Sequence, residues 1–264
     1  MGVSHDSLFV RFLKRIVPVS VKARILAGMR RQLLGFDDAE PSFSHCGEDR
    51  ILAYLFKRKR SGFYVDVGAY HPIRSSNTHL FYLQGWRGIN IDAHPDSMAA
   101  FRALRPRDVN IEIAVAHSEG ERPFYRIGSD HHQMAGMSRD FQSRFCDEFD
   151  VRADDVRAVS VRTRPLRSIL ADHVPPGQRI DFLTIDVEGF EMEVLQSNDW
   201  DKFRPAVIMV EQHAEMTPQI FCGDVPKFLA PKGYRLIAKT PNEIVFLDNA
   251  QRLTPSAMID VERR

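Results

Sequence analysis

The chain has 264 residues, enough to bury one large core, and its 36 lysines and arginines are balanced by 35 acids. A chain with this near-neutral net charge has no overall positive potential to attract nucleic acid, so no nucleic-acid partner is expected. The three cysteines, Cys46, Cys146 and Cys222, lie too far apart for a disulfide framework or a zinc site, and they predict reduced thiols in a cytoplasmic protein.

The first 40 residues are predicted to form a basic helical extension. From Leu8 to Gly35 the segment contains no acid, its apolar residues recur at helical spacing, and Pro18 separates two helices. Basic amphipathic helices lie on anionic membrane surfaces, but they also pack against their own domain or a sister subunit. A peripheral membrane contact and a homo-oligomer therefore both stay open. No run approaches the roughly 18 uncharged apolar residues needed to span a bilayer, and the N-terminus does not resemble a signal peptide.

A polar, turn-rich stretch from Pro41 to Asp49 leads into a helix predicted over residues 50–59. Glu48 and Asp49 precede the first apolar positions of this helix, where carboxylates favourably meet the helix dipole. Capping accounts for these acids, and a place for Ser44 or Glu48 near a ligand is the alternative.

The stretch from Phe63 to Asp92 predicts a βαβ unit, around which the rest of the chain is arranged. A buried strand begins at Phe63, ends on Asp66 and breaks at Gly68, and a short apolar helix then stops at Gly85 before a second strand that ends on Asp92. The crossover of such a unit is right-handed, so both acids are expected at the carboxyl edge of adjacent parallel strands. Ligands of open α/β sheets bind at that edge.

The glycine pattern of this unit selects among nucleotide-type ligands. A dinucleotide fold needs G-x-G-x-x-G for the pyrophosphate, whereas Gly68 is followed here by Ala69 and Tyr70. A single glycine lets a ligand approach the backbone closely at one point only, and each strand ends on an acid. These features favour a ligand that has no phosphates and carries an ammonium and a ribose diol. S-adenosylmethionine is such a ligand, and Asp92 would accept hydrogen bonds from both ribose hydroxyls. A buried strand whose acidic end caps the next helix is the alternative.

The middle of the chain is predicted to continue the sheet and then to become irregular. We expect a helix over residues 95–102 and a third strand over 109–116, whose end at Ala114 is small and apolar enough to lie against an adenine ring. A further strand over 122–127 precedes a charged, irregular segment over 129–160. We interpret this segment as a variable acceptor-binding lid, and a plain surface insertion is the alternative.

Two later strands each deliver acids to the same edge. A buried strand over residues 180–185 ends in Asp186 and Glu188, and a strand over 206–210 delivers Glu211, with His213 just beyond. Because four strand ends then carry acids or polar groups, the carboxyl edge is the expected functional site.

The C-terminal part completes the predicted fold. Helices are expected over residues 190–196 and 218–229, and the last two strands form an antiparallel hairpin. This pattern predicts an α/β fold with a Rossmann-like seven-stranded sheet, mostly parallel with the C-terminal antiparallel hairpin, and helices on both faces. The predicted domains are the N-terminal extension (1–40), the main domain (41–250) and a C-terminal tail (251–264).

With these residues in place, the chain resembles the FkbM family of S-adenosylmethionine-dependent methyltransferases over roughly residues 43–247. Four motifs carry the resemblance: SHCGED from Ser44, VDVGA with the HP and SNT that follow it, GWRGINIDA from Gly85, and IDVEGFE from Ile185. His45 departs from the pattern, since the family often has glutamine there. The resemblance implies a seven-stranded methyltransferase sheet and O-methylation of a sugar, glycan or other hydroxylated small molecule.

The resemblance also implies roles at the cofactor. Asp66 and Gly68 would border the methionine part, Asp92 the ribose, and Ala93 with Ala114 the adenine. The expected cofactor-binding residues are Asp66, Gly68, Ala69, Tyr70, His71, Asn77, Asp92, Ala93, Ala114 and Asp186.

Methyl transfer to an alcohol needs a base or a cation, because an alcohol is a poor nucleophile at neutral pH. The expected catalytic residues are Asp186, Glu188, Glu211 and His213. In one mechanism His213 or Glu188 is the general base. In the other, Asp186, Glu211 and His213 hold a divalent cation such as Mg²⁺ that binds vicinal hydroxyls. A catalytically silent scaffold of the same fold, or a membrane-associated interaction protein, is the alternative function.

Overall fold

The computed structural model describes residues 40–127, 135–136, 156–212 and 218–251. The chain divides into two units, Met1–Ser42 and Phe43–Arg264, and the elements described below belong to the second. The predicted N-terminal helices, His213, the tail from residue 252 and most of the predicted lid lie outside the described residues. None of the described helices is long and apolar enough to cross a membrane.

The described part of the chain begins with alternating helices and strands, has five strands in succession in its middle and ends with a pair of strands. The strands are β1 (Phe63–Val67), β2 (Arg87–Asp92), β3 (Val109–Glu112), β4 (Ala114–Val115), β5 (Gly120–Ile127), β6 (Ala135–Gly136), β7 (Val156–Arg164), β8 (Phe182–Ile185), β9 (Val207–Glu211), β10 (Tyr234–Lys239) and β11 (Glu243–Asp248). The α-helices are α1 (Glu48–Leu55), α2 (His79–Leu83), α3 (Ser97–Leu104), α4 (Leu166–His173), α5 (Glu191–Gln196) and α6 (Asp224–Leu229). Two 3₁₀ helices, Pro218–Cys222 and Ala230–Lys232, flank α6.

The main sheet confirms the predicted fold class. Its seven strands have the order β10-β11-β9-β8-β1-β2-β3. β1 pairs in parallel with β2 and β8, and β8 pairs in parallel with β9, so the carboxyl ends of these four strands meet at one edge. β11 runs antiparallel to β9, which places its first residue, Glu243, opposite Glu211 at the same edge.

Apolar side chains alternate across the sheet and build a core on each face. On β1, Val65 and Val67 contribute to a core that includes Leu166 of α4 and Leu195 of α5. Tyr64 contributes to the core on the other face, together with residues of α1 and α2. Helices therefore cover both faces, as predicted.

The prediction of one continuous strand over residues 109–116 is wrong. β3 stops at Glu112, the N–H of Ile113 donates to the carbonyl oxygen of Asp92, and β4 pairs with β7 in a second sheet. An alternating apolar pattern shows that a segment is extended, but it does not show which sheet the segment joins.

The second sheet was not predicted. It has the order β4-β7-β5-β6, and β5 pairs with β7 along its whole length. The prediction of an irregular segment over residues 129–160 is therefore wrong at Ala135–Gly136, which form β6, and from Val156 onward. Arg157 and Arg162 of β7 are both exposed, and a strand with exposed charged residues resembles a loop in sequence.

Some helix limits also differ from the predictions. α4 was not predicted, and the helix predicted over residues 218–229 is divided at Gly223, whose φ of −68° and ψ of 166° are extended. The helices predicted from residues 50 and 95 begin at Glu48 and Ser97.

Candidate active site

The turn after β1 lies directly against the end of β8. Gly68 has a φ of +85°, and a Cβ on this residue would lie 1.6 Å from the carbonyl oxygen of Asp186. The N–H groups of Gly68 and Ala69 donate to the carbonyl oxygen of Ile91 over 2.9 and 3.1 Å, and the N–H of Asp186 donates to that of Val67 over 2.9 Å. Only glycine combines this backbone conformation with this close approach.

Asp92 presents a preorganised carboxylate at the end of β2. Its side chain is only 8% exposed, and its two oxygens accept hydrogen bonds from the N–H groups of Tyr70 and His94, each over 2.7 Å. Burial raises the pKa of Asp92, whereas these two N–H groups favour its charged form. Each carboxylate oxygen can accept a second hydrogen bond, so this geometry fits a ligand with two adjacent hydroxyls.

Two non-glycine residues with left-handed backbone lie at this edge. Tyr70, in the turn after β1, has a φ of 51°, and Glu188, in the turn after β8, has a φ of 54°. The second turn is held by Glu191, whose Oε1 accepts hydrogen bonds from the N–H groups of Gly189 over 2.9 Å and Val187 over 3.4 Å. Such backbone costs of order 1–3 kcal/mol per residue and is concentrated at functional sites, which supports the assignment of the site to this edge.

The residues predicted to surround an adenine lie in one apolar cluster beyond Asp92. Ala114 is buried with Phe124 and Val161, and Ala93 packs against them. Ala69 is buried elsewhere, against Met98 and Phe101 of α3.

Three carboxylates converge where β8 and β9 end. One oxygen from each of Asp186, Glu188 and Glu211 lies within 4.8 Å of the others. Burial, and then the charges of Glu211 and Glu188, raise the pKa of Asp186 well above its usual range. The structure thus brings together three of the four predicted catalytic residues, and the fourth, His213, lies outside the described residues.

Asp66 lies within the structure rather than at its open edge. The residue is 6% exposed, and its carboxylate accepts a hydrogen bond from Thr78 Oγ1 over 2.7 Å. Burial raises the pKa of Asp66 to about 6, although the Thr78 hydrogen bond and the charge of Arg105 act in the opposite direction.

Asn77 connects two strands of the sheet under the carboxylate trio. Its side-chain amide nitrogen donates to Thr184 Oγ1 over 3.1 Å and to Glu243 Oε1 over 2.7 Å. Glu243 is 6% exposed, and burial raises its pKa to about 8. Sequence reasoning missed Glu243, although its position at the start of the last strand could have placed it opposite Glu211.

His71 holds the loop that follows Tyr70. Its Nδ1 accepts hydrogen bonds from the N–H groups of Ile73 and Arg74, each over 3.0 Å. Burial and the neighbouring charges of Arg74 and Arg105 lower the pKa of His71, so the ring is held in its neutral form.

The family model described as "Methyltransferase FkbM domain" matches residues 66–236. No curated protein matches the sequence.

Among solved structures, the proteins to which the chain is similar at low identity include the following three. A fibrillarin pre-rRNA processing protein from Methanococcus jannaschii is 13% identical, with a TM-score of 0.40 over 77% of this chain and 76% of that one. A TehB-like SAM-dependent methyltransferase from Corynebacterium glutamicum is 10% identical, with a TM-score of 0.36 over 86% and 98%. An O-methyltransferase from Bacillus cereus, solved with SAH, is 9% identical, with a TM-score of 0.36 over 89% and 93%.

Proposed function

The chain belongs to the FkbM methyltransferase domain family, and we propose that it transfers the methyl group of S-adenosylmethionine to a hydroxyl of a sugar, glycan or glycolipid-type acceptor. The observation that carries this proposal is the convergence of Asp186, Glu188 and Glu211 beside the turn at Gly68. Carboxylates beside the edge of the sheet that would bind the cofactor are suited to take a proton from a neutral acceptor.

The residues at the edge fit S-adenosylmethionine. The buried Asp92 carboxylate has capacity for two more hydrogen bonds, which matches a ribose diol, and Ala93 with Ala114 offers an apolar surface to adenine. The single glycine turn at Gly68 suits a ligand without phosphates. When bound, this cofactor supplies an electrophilic methyl group on a sulfonium centre.

The carboxylate trio supports two ways of activating an acceptor hydroxyl. In the first, Glu188 or Glu211 accepts the hydroxyl proton, and burial beside these two charges raises the pKa of Asp186. In the second, the same oxygens hold a divalent cation such as Mg²⁺, which lowers the pKa of a bound hydroxyl. A neutral hydroxyl is a weak nucleophile and needs this help, which supports oxygen as the accepting atom.

The test is transfer of a labelled methyl group from S-adenosylmethionine to a panel of methyl glycosides, nucleotide sugars, glycolipids, amines and carboxylic acids. We expect label on hydroxyl oxygen of a sugar-containing acceptor, with the product identified by mass spectrometry. Glu211→Gln should lower the rate about 100-fold or more. The exposed control Glu119→Gln should leave the rate unchanged.

Two outcomes would contradict the proposal. Label on amines or carboxylates alone would assign a different acceptor class. Binding of the cofactor without transfer to any member of the panel would favour the alternative, a silent scaffold with a methyltransferase fold.

A further inference from the structure

We propose that Asp186, Glu188 and Glu211 form a binding site for one divalent cation of the Mg²⁺ or Mn²⁺ type, with Glu243 as an outer acceptor for a metal-bound water. This inference rests on the proposed function and deepens it, because the cation would position the acceptor hydroxyl at the same edge. It replaces the ligand set expected from sequence, which contained His213 in place of Glu188.

The geometry of the three carboxylates matches a cation of this class. They come from the end of β8, the turn that follows it and the end of β9, and one oxygen of each lies within 4.8 Å of the others. Oxygens on opposite sides of Mg²⁺ are about 4 Å apart, and on opposite sides of Ca²⁺ about 5 Å apart. Small side-chain rotations therefore bring the three oxygens into one coordination sphere.

Glu243 supplies an independent sign that a ligand belongs beside the trio. Its side chain is 6% exposed, its Oε1 accepts from Asn77, and its Oε2 is buried without a hydrogen-bond partner. A buried acceptor that lacks a donor costs about 1–3 kcal/mol. A bound ligand that brings a donor removes this cost.

The Glu243 side chain projects from the same face of the sheet as the trio. Glu243 lies directly opposite Glu211 across the β9–β11 pair, and residues paired in this way project from the same face of the sheet. The amide nitrogen of Asn77 bonds both Glu243 and Thr184 Oγ1, so the Glu243 carboxyl lies beside Thr184. Asp186 follows two residues after Thr184 and projects from that same face.

The chemistry of these groups selects the cation. All the donors are carboxylate oxygens, which suit Mg²⁺, Mn²⁺ and Ca²⁺ rather than softer metals. Three carboxylates also leave room in an octahedral sphere for waters and for acceptor oxygens. A water bound to the cation is a hydrogen-bond donor, and Glu243 Oε2 can accept from it.

The test is to measure Mn²⁺ binding to the full chain in the presence of S-adenosylhomocysteine, by calorimetry and by the Mn²⁺ EPR signal. We expect one saturable site per wild-type chain, and competition by Mg²⁺. Asp186→Asn and Glu211→Gln should each weaken Mn²⁺ binding by about 10- to 100-fold, and Glu243→Gln by about 10-fold. The exposed controls Asp201→Asn and Glu119→Gln should bind Mn²⁺ as the wild type does.

Circular dichroism and S-adenosylhomocysteine binding check that each variant is folded. A wild-type chain that binds S-adenosylhomocysteine but shows no saturable Mn²⁺ site at millimolar metal would overturn the inference. Mn²⁺ binding that Asp186→Asn and Glu211→Gln leave unchanged would also overturn it. Full methyl transfer in excess EDTA would overturn the cation site while leaving the proposed function intact, so the two failures are distinguishable.

Discussion

A Cβ on Gly68 would lie 1.6 Å from the backbone carbonyl oxygen of Asp186. The carbonyl oxygen belongs to the backbone, and the backbone also fixes the position of a Cβ. No side-chain rotation can therefore relieve this contact. The contact joins the turn after β1 to the end of β8, which are the segments that carry the predicted cofactor turn and the carboxylate trio. The spacing between these two parts of the site therefore depends on the absence of a side chain at position 68.

Gly68→Ala should destabilise the protein by more than about 3 kcal/mol, because it adds a steric clash to left-handed backbone. The matched control is Gly85→Ala: Gly85 has a φ of +96°, but a Cβ there would meet no atom within 4 Å. The control should cost only about 1–2 kcal/mol. Urea unfolding measures both values, and equal losses for the two variants would show that the close approach does not matter.

Arg105→Lys should lower the free energy of unfolding by about 3 kcal/mol, because it removes donors from buried acceptors. The Arg105 side chain is fully buried. It donates to the carbonyl oxygen of Pro72 (2.8 Å), Thr78 Oγ1 (2.7 Å), Ser76 Oγ (2.7 Å) and Asn90 Oδ1 (3.3 Å). The control is Arg102→Lys in the last turn of α3, where the side chain is exposed and the change should be within about 0.5 kcal/mol. An Arg105→Lys variant as stable as this control would refute the structural role assigned to the network.

His79 should make the protein less stable as the pH falls. Burial, followed by the charges of Arg105 and His71, lowers the pKa of His79 to about 3. The pKa of a histidine in the unfolded chain is near 6.5. The contribution of neutral His79 to the free energy of unfolding is therefore fully present above about pH 6.5 and is lost as the pH falls toward 3. At pH 5 the loss is about 2 kcal/mol. The stability advantage of wild type over His79→Gln should therefore shrink by that amount between pH 7.5 and pH 5 in urea unfolding.

The comparison with His79→Gln is needed because Asp66 acts in the opposite direction. Its pKa is raised to about 6, so its contribution is present below about pH 4 and is lost as the pH rises through 6. This change is common to wild type and variant and cancels in the difference. A difference that stays constant between pH 7.5 and pH 5 would contradict the low pKa of His79.

Much of the fold could be predicted because its signals are local. Buried apolar strands that end in an acid, such as Phe63–Val67, and the glycine at position 68 each have a direct physical cause in the sequence. The second sheet could not be predicted in the same way. Arg157 and Arg162 of β7 are exposed, and the place of β7 is fixed by pairing with β5, a contact between segments distant in sequence.

The candidate site shows the same division. Asp92, Asp186 and Glu211 stand at strand ends, so the sequence places them at one edge. Glu243 and Arg105 come to the site through tertiary contacts: one across an antiparallel pair, the other from the end of α3 into the turn that carries Thr78. Residues of this second kind carry no local pattern that marks them before the chain is folded.

The most direct test of the account is calorimetric binding of S-adenosylhomocysteine to the wild type, to Asp92→Asn and to the exposed control Asp201→Asn. We expect micromolar binding by the wild type and by the control. We expect binding about 10- to 100-fold weaker for Asp92→Asn, because the variant lacks the charged acceptor that we propose for the ribose hydroxyls. A folded wild type that does not bind, or an Asp92→Asn variant that binds as tightly as the control, would contradict the assignment of this edge as the cofactor site.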